Sequence, residues 1–240
     1  MKKHLYNTTF GKVPWFVRRF GAGEVVMKPL RLVFAPVVIP LLPRRNFEFD
    51  GQRLEQFYHR YNMTWASERM VEVPIAKSYL DRFAVKPILE VGNVMSHYFP
   101  ARHDIVDKFE QAPGIINQDI LEYRPGKAYD LVFSVSTFEH IGFDDEAQES
   151  SGKKILEAIA ACRKLLAPDG LFLLTVPIGY NPDLDDLIRT GDLKAAREIY
   201  LRRPGRRRWE PTSKAEALKC RFKTPYPYAN GLLIAEFKRS

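Results

Sequence analysis

From Pro87 onward the chain repeats one pattern: a short apolar run rich in β-branched residues, a polar or acidic residue at its end, then a connecting segment. Runs of that length, bounded by turn residues and separated by connectors, are how a sheet with crossover connections is written in sequence. The strand candidates are Pro87-Val91, Asp104-Lys108, Ile115-Gln118, Asp130-Val135, Leu171-Val176 and Leu232-Phe237. Between the fourth and fifth, Ile155, Ile159, Cys162 and Leu166 share a helical stripe that Pro168-Asp169-Gly170 terminates. The pattern predicts an α/β fold with a doubly wound, mostly parallel sheet over residues 87–240.

In such a sheet a ligand lies past the carboxyl ends of the strands, where strand order reverses, so the informative residues follow each apolar run. Four junctions stand out. Ile88-Leu89-Glu90-Val91-Gly92-Asn93 sets an acid beside a glycine that admits close backbone approach. Asp104-Ile105-Val106-Asp107-Lys108 ends in a carboxylate. Ile115-Ile116-Asn117-Gln118-Asp119-Ile120 pairs a carboxylate with an apolar edge, and Tyr129 to His140 ends in Ser136, Thr137, Glu139 and an imidazole.

In this order the stretch from Pro87 to Pro177 resembles class I S-adenosylmethionine-dependent methyltransferases of the methyltransferase-11 group. The matching features are Leu-Glu-Val-Gly, Val-Asp, Gln-Asp-Ile, Tyr-Asp-Leu-Val, Phe-Glu-His-Ile and Leu-Leu-Ala-Pro-Asp-Gly-Leu. Within that group the chain looks most similar to methyltransferase-like proteins associated with bacterial surface-polysaccharide gene clusters, on Ser-His-Tyr, Asp-Lys-Phe-Glu and Val-Pro-Ile-Gly-Tyr-Asn-Pro. The resemblance implies a Rossmann-like, seven-stranded sheet, S-adenosylmethionine as cofactor and methyl transfer, with O-methylation of a small-molecule or glycan-type acceptor as the expectation. It places cofactor contacts at Glu90, Gly92, Asn93, Asp107, Lys108, Asp119, Ile120 and Ser136. Glu90 is expected to face the amino group of the cofactor's methionine part, Asp107 the ribose hydroxyls, and Asp119 with Ile120 the adenine.

The family's glycine-rich loop is G-x-G-x-G, whereas this chain reads Gly92-Asn93-Val94-Met95-Ser96 and keeps only the first glycine. Ser96, His97 and Tyr98 are expected to fill the vacated space, and the departure leaves a noncatalytic, methyltransferase-like scaffold as the competing reading. His140 is the candidate catalytic residue, since a neutral imidazole at a strand end can take a proton near pH 7. Asn181-Pro182 follows the fifth strand rather than the fourth and reads as a loop, with Asp183 capping the next helix. Asp185 to Arg208 reads as an amphipathic insertion, a lid or acceptor surface ending in the basic run Arg206-Arg207-Arg208.

Ahead of this domain, residues 46–86 read as a helical cap: Phe57, Tyr58, Tyr61 and Trp65 recur at helical spacing, and a second helix covers Val73 to Phe83. Residues 1–45 read as a basic, apolar, proline-broken arm. Its run from Leu32 to Leu42 is about half the roughly 20 residues a bilayer span requires. With Lys28, Arg31, Arg44 and Arg45 around it, this run is suited to packing on the protein's own core or to peripheral contact with the inner membrane surface of a cytoplasmic protein. Cys162 and Cys220 form no metal or disulfide pattern, and a net charge of +8 without a recognition motif makes nucleic acid a poor candidate partner.

Overall fold

The computed structural model describes residues 22–144 and 151–239. At its centre is an eight-stranded sheet in the order β5-β4-β3-β6-β7-β10-β8-β9. The strands are β3 (Ile88–Val91), β4 (Asp104–Asp107), β5 (Ile115–Asn117), β6 (Tyr129–Val135), β7 (Leu166–Pro177), β8 (Arg197–Gly205), β9 (Arg208–Thr212) and β10 (Gly231–Lys238). The pairs among β5, β4, β3, β6 and β7 are parallel, while β10, β8 and β9 run antiparallel. This is the doubly wound, mostly parallel sheet expected, with one strand more than seven. The chain steps outward from β3 through β4 to β5 and then returns to the other side of β3 as β6, so strand order reverses between β3 and β6.

Both faces of the sheet are buried, which is why β6 reads as an almost unbroken apolar run. On one face Leu89, Val91, Val132 and Phe172 pack with Ile155, Ile159 and Cys162 of α3 (Ser151–Lys164). On the other, Ile88, Leu131, Phe133 and Leu173 pack with Met70, Val73 and Ile75 of α2 (Arg69–Arg82), whose Pro74 lies in the helix. The stop after α3 comes earlier than Pro168-Asp169-Gly170: β7 already begins at Leu166, and the register slips between the pairs Tyr129↔Leu166 and Leu131↔Leu171.

Two expectations ahead of β3 are corrected. Residues 46–55 form an antiparallel hairpin, β1 (Asn46–Phe49) with β2 (Gln52–Glu55), not a helix. Asp50 and Gly51 both take positive φ at its turn, and Phe47 and Phe49 bury their rings. Phe57, Tyr58, Tyr61 and Trp65 follow in a loop with one short 3-10 turn (Tyr61–Met63), where the Phe57 ring meets Tyr98 and Phe99. The arm is partly regular: Ala22–Leu41 forms α1, which carries Pro29, Pro36 and Pro40. The residues before Ala22 lie outside those described. No described helix is long and apolar enough to cross a membrane.

The segment after β7 also differs. α4 (Pro182–Thr190) is capped by Asn181, whose side chain accepts from the Asp183 and Leu184 amides, while Asp183 accepts from the Ser151 hydroxyl and the Gly152 amide. The remainder of the supposed insertion is the β8–β9 hairpin, an extension of the sheet.

Candidate active site

The register of β3, β4 and β5 aligns Val91 with Val106 and Asp107 with Asn117. Gly92, Asp107 and Asp119 therefore follow one another along the carboxyl edge of the sheet, with Ser136 at the end of β6 on the other side of the reversal point.

Gly92 has φ +84°, and its amide donates to Val106 O at 2.9 Å. A Cβ there would lie 2.3 Å from Thr137 Oγ1, so the turn is pressed against the end of β6. About a dozen residues separate Val91 from Asp104, and they hold one 3-10 turn, Met95–His97, instead of a crossover helix. Loop amides without helical partners need other acceptors. Glu90 supplies them: Oε1 accepts from Val94 N and Met95 N at 2.8 and 2.7 Å, and Oε2 meets His103 Nε2 at 2.8 Å. Its carboxylate is thus fully buried and engaged with its own loop. Ser96 donates to Asn93 Oδ1, His97 stacks on Tyr61, and the Tyr98 hydroxyl meets Thr64 Oγ1 at 2.7 Å, so each fills the loop region with a contact.

Asp107 staples the neighbouring loops. Its Oδ1 accepts from Phe109 N and Glu110 N at 2.8 Å each, and its Oδ2 accepts from Asn93 N at 3.0 Å. Asp119 Oδ1 accepts from Leu121 N, and its Oδ2 meets the Lys108 ammonium at 3.0 Å. Burial opposes ionisation of Asp119, but the Leu121 amide and Lys108 outweigh it and hold its pKa below the usual carboxylate value. Ile120 is buried in the core beneath.

A carboxylate offers about four lone-pair sites. Asp107 keeps about one and Asp119 about two for a ligand donor, beside the buried Gly92 turn. This donor-seeking edge fits the nucleoside part of S-adenosylmethionine, the cofactor the resemblance implies. Its methionine end is matched less well, because Glu90 is engaged elsewhere.

Ser136 also has positive φ (+41°) and donates from Oγ to Glu72 Oε1 at 2.7 Å, an oxygen that accepts from Thr175 Oγ1 as well. Arg69 donates to Val135 O and Ser136 O and lies 3.8 Å from Glu72 Oε2. A buried ion pair from α2 thus props the end of β6 from below. Burial raises the Glu72 pKa; for Arg69 burial is the largest single influence and lowers the pKa, but Glu72, Tyr98, Glu139 and Glu68 together outweigh it and keep the guanidinium charged.

Above the ends of β6 and β7 lies a cavity of about 210 Å³ lined by Ser67, Glu68, Ser136, Glu139, His140 and Tyr180, among others. Burial lowers the His140 pKa, but Glu139 and Asp144 raise it by more, and Asp144 Oδ2 sits 2.5 Å from Nδ1. That imidazole is held toward its cationic form, which donates protons rather than accepts them. Its neighbour Glu139 is the reverse case: burial and the Glu72 charge push its pKa up to about 7. The sequence marks Glu139 at the end of β6 but gives it no role of its own, because burial sets its chemistry and burial is not written in the residue. Glu72 and Arg69 were missed for the same reason; a charged pair three apart at the start of an otherwise apolar helix face was the available signal. A second cavity, about 450 Å³, lies beside β4 where the helix-free connections leave a gap lined by His97, His103, Ile105 and Glu110.

No family model matches the chain, and no curated protein matches it significantly. Among solved structures it is similar to the N-methyltransferase NodS of Bradyrhizobium japonicum WM9 in complex with S-adenosyl-L-homocysteine, at 15% identity over 72% of this chain and 91% of that one, with a TM-score of 0.39. A TehB-like S-adenosylmethionine-dependent methyltransferase from Corynebacterium glutamicum matches at 15% identity, over 70% of this chain and 87% of that one, with a TM-score of 0.40. The 1,6-didemethyltoxoflavin-N1-methyltransferase of Burkholderia thailandensis, with bound substrate and S-adenosylhomocysteine, matches at 15% identity over 82% and 99%, also with a TM-score of 0.40.

Proposed function

We propose that the protein is an S-adenosylmethionine-dependent methyltransferase acting on a small-molecule acceptor, with O-methylation of a glycan-type acceptor as the finer reading. The observation that carries it is the alignment of Gly92, Asp107, Asp119 and Ser136 along the carboxyl edge of the sheet, at the reversal between β3 and β6. Bound S-adenosylmethionine supplies an electrophilic methyl group. Asp107 would accept from one ribose hydroxyl and Asp119 from the adenine amino group, with Asn93, Lys108 and Ile120 around them. Much of the barrier reduction comes from holding donor and acceptor in contact, which a cavity adjoining Ser136 is placed to do.

Calorimetry with S-adenosylhomocysteine tests this reading. Asp107→Ala removes a charged hydrogen-bond acceptor and is expected to weaken binding by about tenfold to a hundredfold. Asp107→Asn, which keeps one acceptor oxygen, should weaken it less, and circular dichroism checks that the stapled loops survive. Folded wild-type protein with no affinity for the ligand would leave the noncatalytic scaffold as the better reading.

A second reading concerns α1. Leu30, Val33, Phe34, Val37 and Leu41 form one helical stripe, and Val33, Val37 and Leu41 are 71%, 64% and 78% exposed. An exposed apolar stripe with Arg31, Arg44 and Arg45 close in sequence suits peripheral contact with an anionic membrane surface. The full chain is expected to float with phosphatidylglycerol-containing vesicles and a chain starting at Asn46 to remain behind. Equal flotation of the two would reject the arm as an anchor.

A further inference from the structure

We propose that the cavity above β6 and β7 receives a hydroxyl-bearing acceptor whose O–H donates to Glu139, and that Glu139 takes this proton as the oxygen is methylated. The inference rests on the methyltransferase reading and its O-methylation form, and adds to it the cavity that receives the hydroxyl and the residue that takes its proton.

Glu139 lines the cavity with 2% of its surface exposed, and its Oε2 has no hydrogen-bond partner among the described residues. A buried carboxylate oxygen without a partner costs free energy, and a ligand donor removes that cost. Ser67, on the same cavity, repeats the pattern: its Oγ is buried and unpartnered among the described residues. Two orphaned polar groups on one 210 Å³ space, with room for about seven waters at their liquid volume, mark a site shaped for a small polar molecule. The Glu139 backbone is fixed by Asn181, whose Nδ2 donates to its carbonyl at 3.0 Å, and Asn181 in turn caps α4. Ser136 lines the cavity and also belongs to the cofactor edge, so the space opens beside the methyl donor's side of the sheet.

The surrounding charges decide which group moves the proton. From α2 and the residue before it, Glu68 and Arg69 line the cavity, and Glu72 lies behind Ser136, whose hydroxyl donates to it. Glu68 accepts from Ala229 N, and Arg69 donates to the end of β6. His140 is hydrogen-bonded to Asp144 and its Nε2 lies 3.6 Å from Glu139 Oε1, Tyr180 donates to the Asp144 carboxylate, and Tyr228 also lines the cavity. Glu139 combines an orphaned acceptor on the cavity wall with a proton affinity near neutrality, whereas Glu72, whose Oε2 also lacks a hydrogen bond, stands outside the lining and is ion-paired with Arg69. A neutral amine attacks without a base; a hydroxyl must shed its proton as it attacks, which is the service a buried carboxylate can render. In the balanced step the acceptor oxygen forms the O–C bond while its O–H bond breaks toward Glu139. The electron pair of the donor's S–C bond returns to sulfur, so a sulfonium and a carboxylate become a thioether and a carboxylic acid.

The test uses the full chain labelled with carbon-13 at the glutamate carboxyls, the Glu139 signal being identified by its loss in Glu139→Gln. Glucose is the hydroxyl probe, tetrahydropyran the same ring size without hydroxyls, and glucosamine the amine probe. Glucose is expected to shift the Glu139 signal and lower its titration midpoint, with an affinity about tenfold or more above that of tetrahydropyran. No response to glucose, an equal response to tetrahydropyran, or a response confined to glucosamine overturns the assignment. S-adenosylhomocysteine calorimetry on the same samples separates the two claims. Ligand binding without a glucose response rejects this inference alone, and absence of ligand binding rejects the methyltransferase reading and the proton-transfer role with it.

Discussion

Gly92→Ala is expected to destabilise the protein by about 2–5 kcal/mol through a single methyl group at the sheet's carboxyl edge. Two independent costs add there. At φ +84° an alanine carries about 1–2 kcal/mol of backbone strain that glycine does not. Its Cβ would also fall 2.3 Å from Thr137 Oγ1 and 2.6 Å from Thr137 Cγ2, an overlap of the kind that costs about 1–3 kcal/mol to relieve. The turn cannot retreat easily, because the Gly92 amide is bonded to Val106 O and Ser134 Oγ holds Val91 O at 2.7 Å from the β6 side. Urea unfolding measures the sum, and repeating it in a Thr137→Ala background separates the parts. Removing Oγ1 and Cγ2 should return most of the overlap cost and leave the backbone cost in place. An unchanged urea midpoint in Gly92→Ala would mean that the turn tolerates a side chain and that its glycine serves only ligand approach.

That one glycine illustrates why the sheet was legible. The inner parallel strands β3, β4, β6 and β7 are buried on both faces and appear as compact apolar runs, and the six strand candidates lie within a few residues of β3, β4, β5, β6, β7 and β10. Where burial is one-sided or local, the signal failed. Phe47 and Phe49 alternate with exposed Asn46 and Glu48, and Asp50-Gly51 is a strong hairpin turn, yet the aromatic spacing from Phe57 to Trp65 drew the whole region into a helix. That spacing reports a cluster of rings around Tyr98 and Phe99, which an irregular loop can supply as well as a helix.

The basic run near Arg206 misled in a related way. Arg203, two residues before the turn, is buried and donates to Arg206 O, Pro227 O and Ala66 O, and burial lowers its pKa to about 10. It is a strut between β8 and the chain's C-terminal loop, so the charge counted in sequence is not all available to an anion. At the site, the sequence located the acids but not their bonds. Whether Glu90 faces a ligand or its own loop depends on the 3-10 turn that stands in place of a helix in the short connection between β3 and β4. Connection length was readable; its consequence for a single carboxylate required the loop's geometry.

The same geometry makes Glu139 a measurable contributor to stability. Its carboxyl has a reference pKa of 4.5 and is pushed up to about 7 in the folded protein, first by burial and further by Glu72. A folded-state pKa above the unfolded one means that the native state binds the proton more tightly. The associated stability is fully present below about pH 4.5 and is lost as pH rises through about 7. The shift corresponds to about 3 kcal/mol at about 1.4 kcal/mol per pH unit. Glu139→Gln cannot ionise, so its stability should fall less steeply across this interval, and the gap between the two curves should change by about 3 kcal/mol in the variant's favour. The variant's amide adds a constant offset if its donors stay unpaired, which is why the change in the gap rather than its absolute size is the readout. His140 works in the same direction: its raised pKa also favours the native state at low pH, and part of that elevation comes from the Glu139 charge and disappears in the variant. Wild type is therefore the steeper curve on both counts. Urea unfolding from about pH 4.5 to about 8 traces both curves through the Glu139 titration. Parallel curves would show that Glu139 titrates as an ordinary exposed carboxyl, and a group of that kind could not be the buried proton acceptor of the cavity.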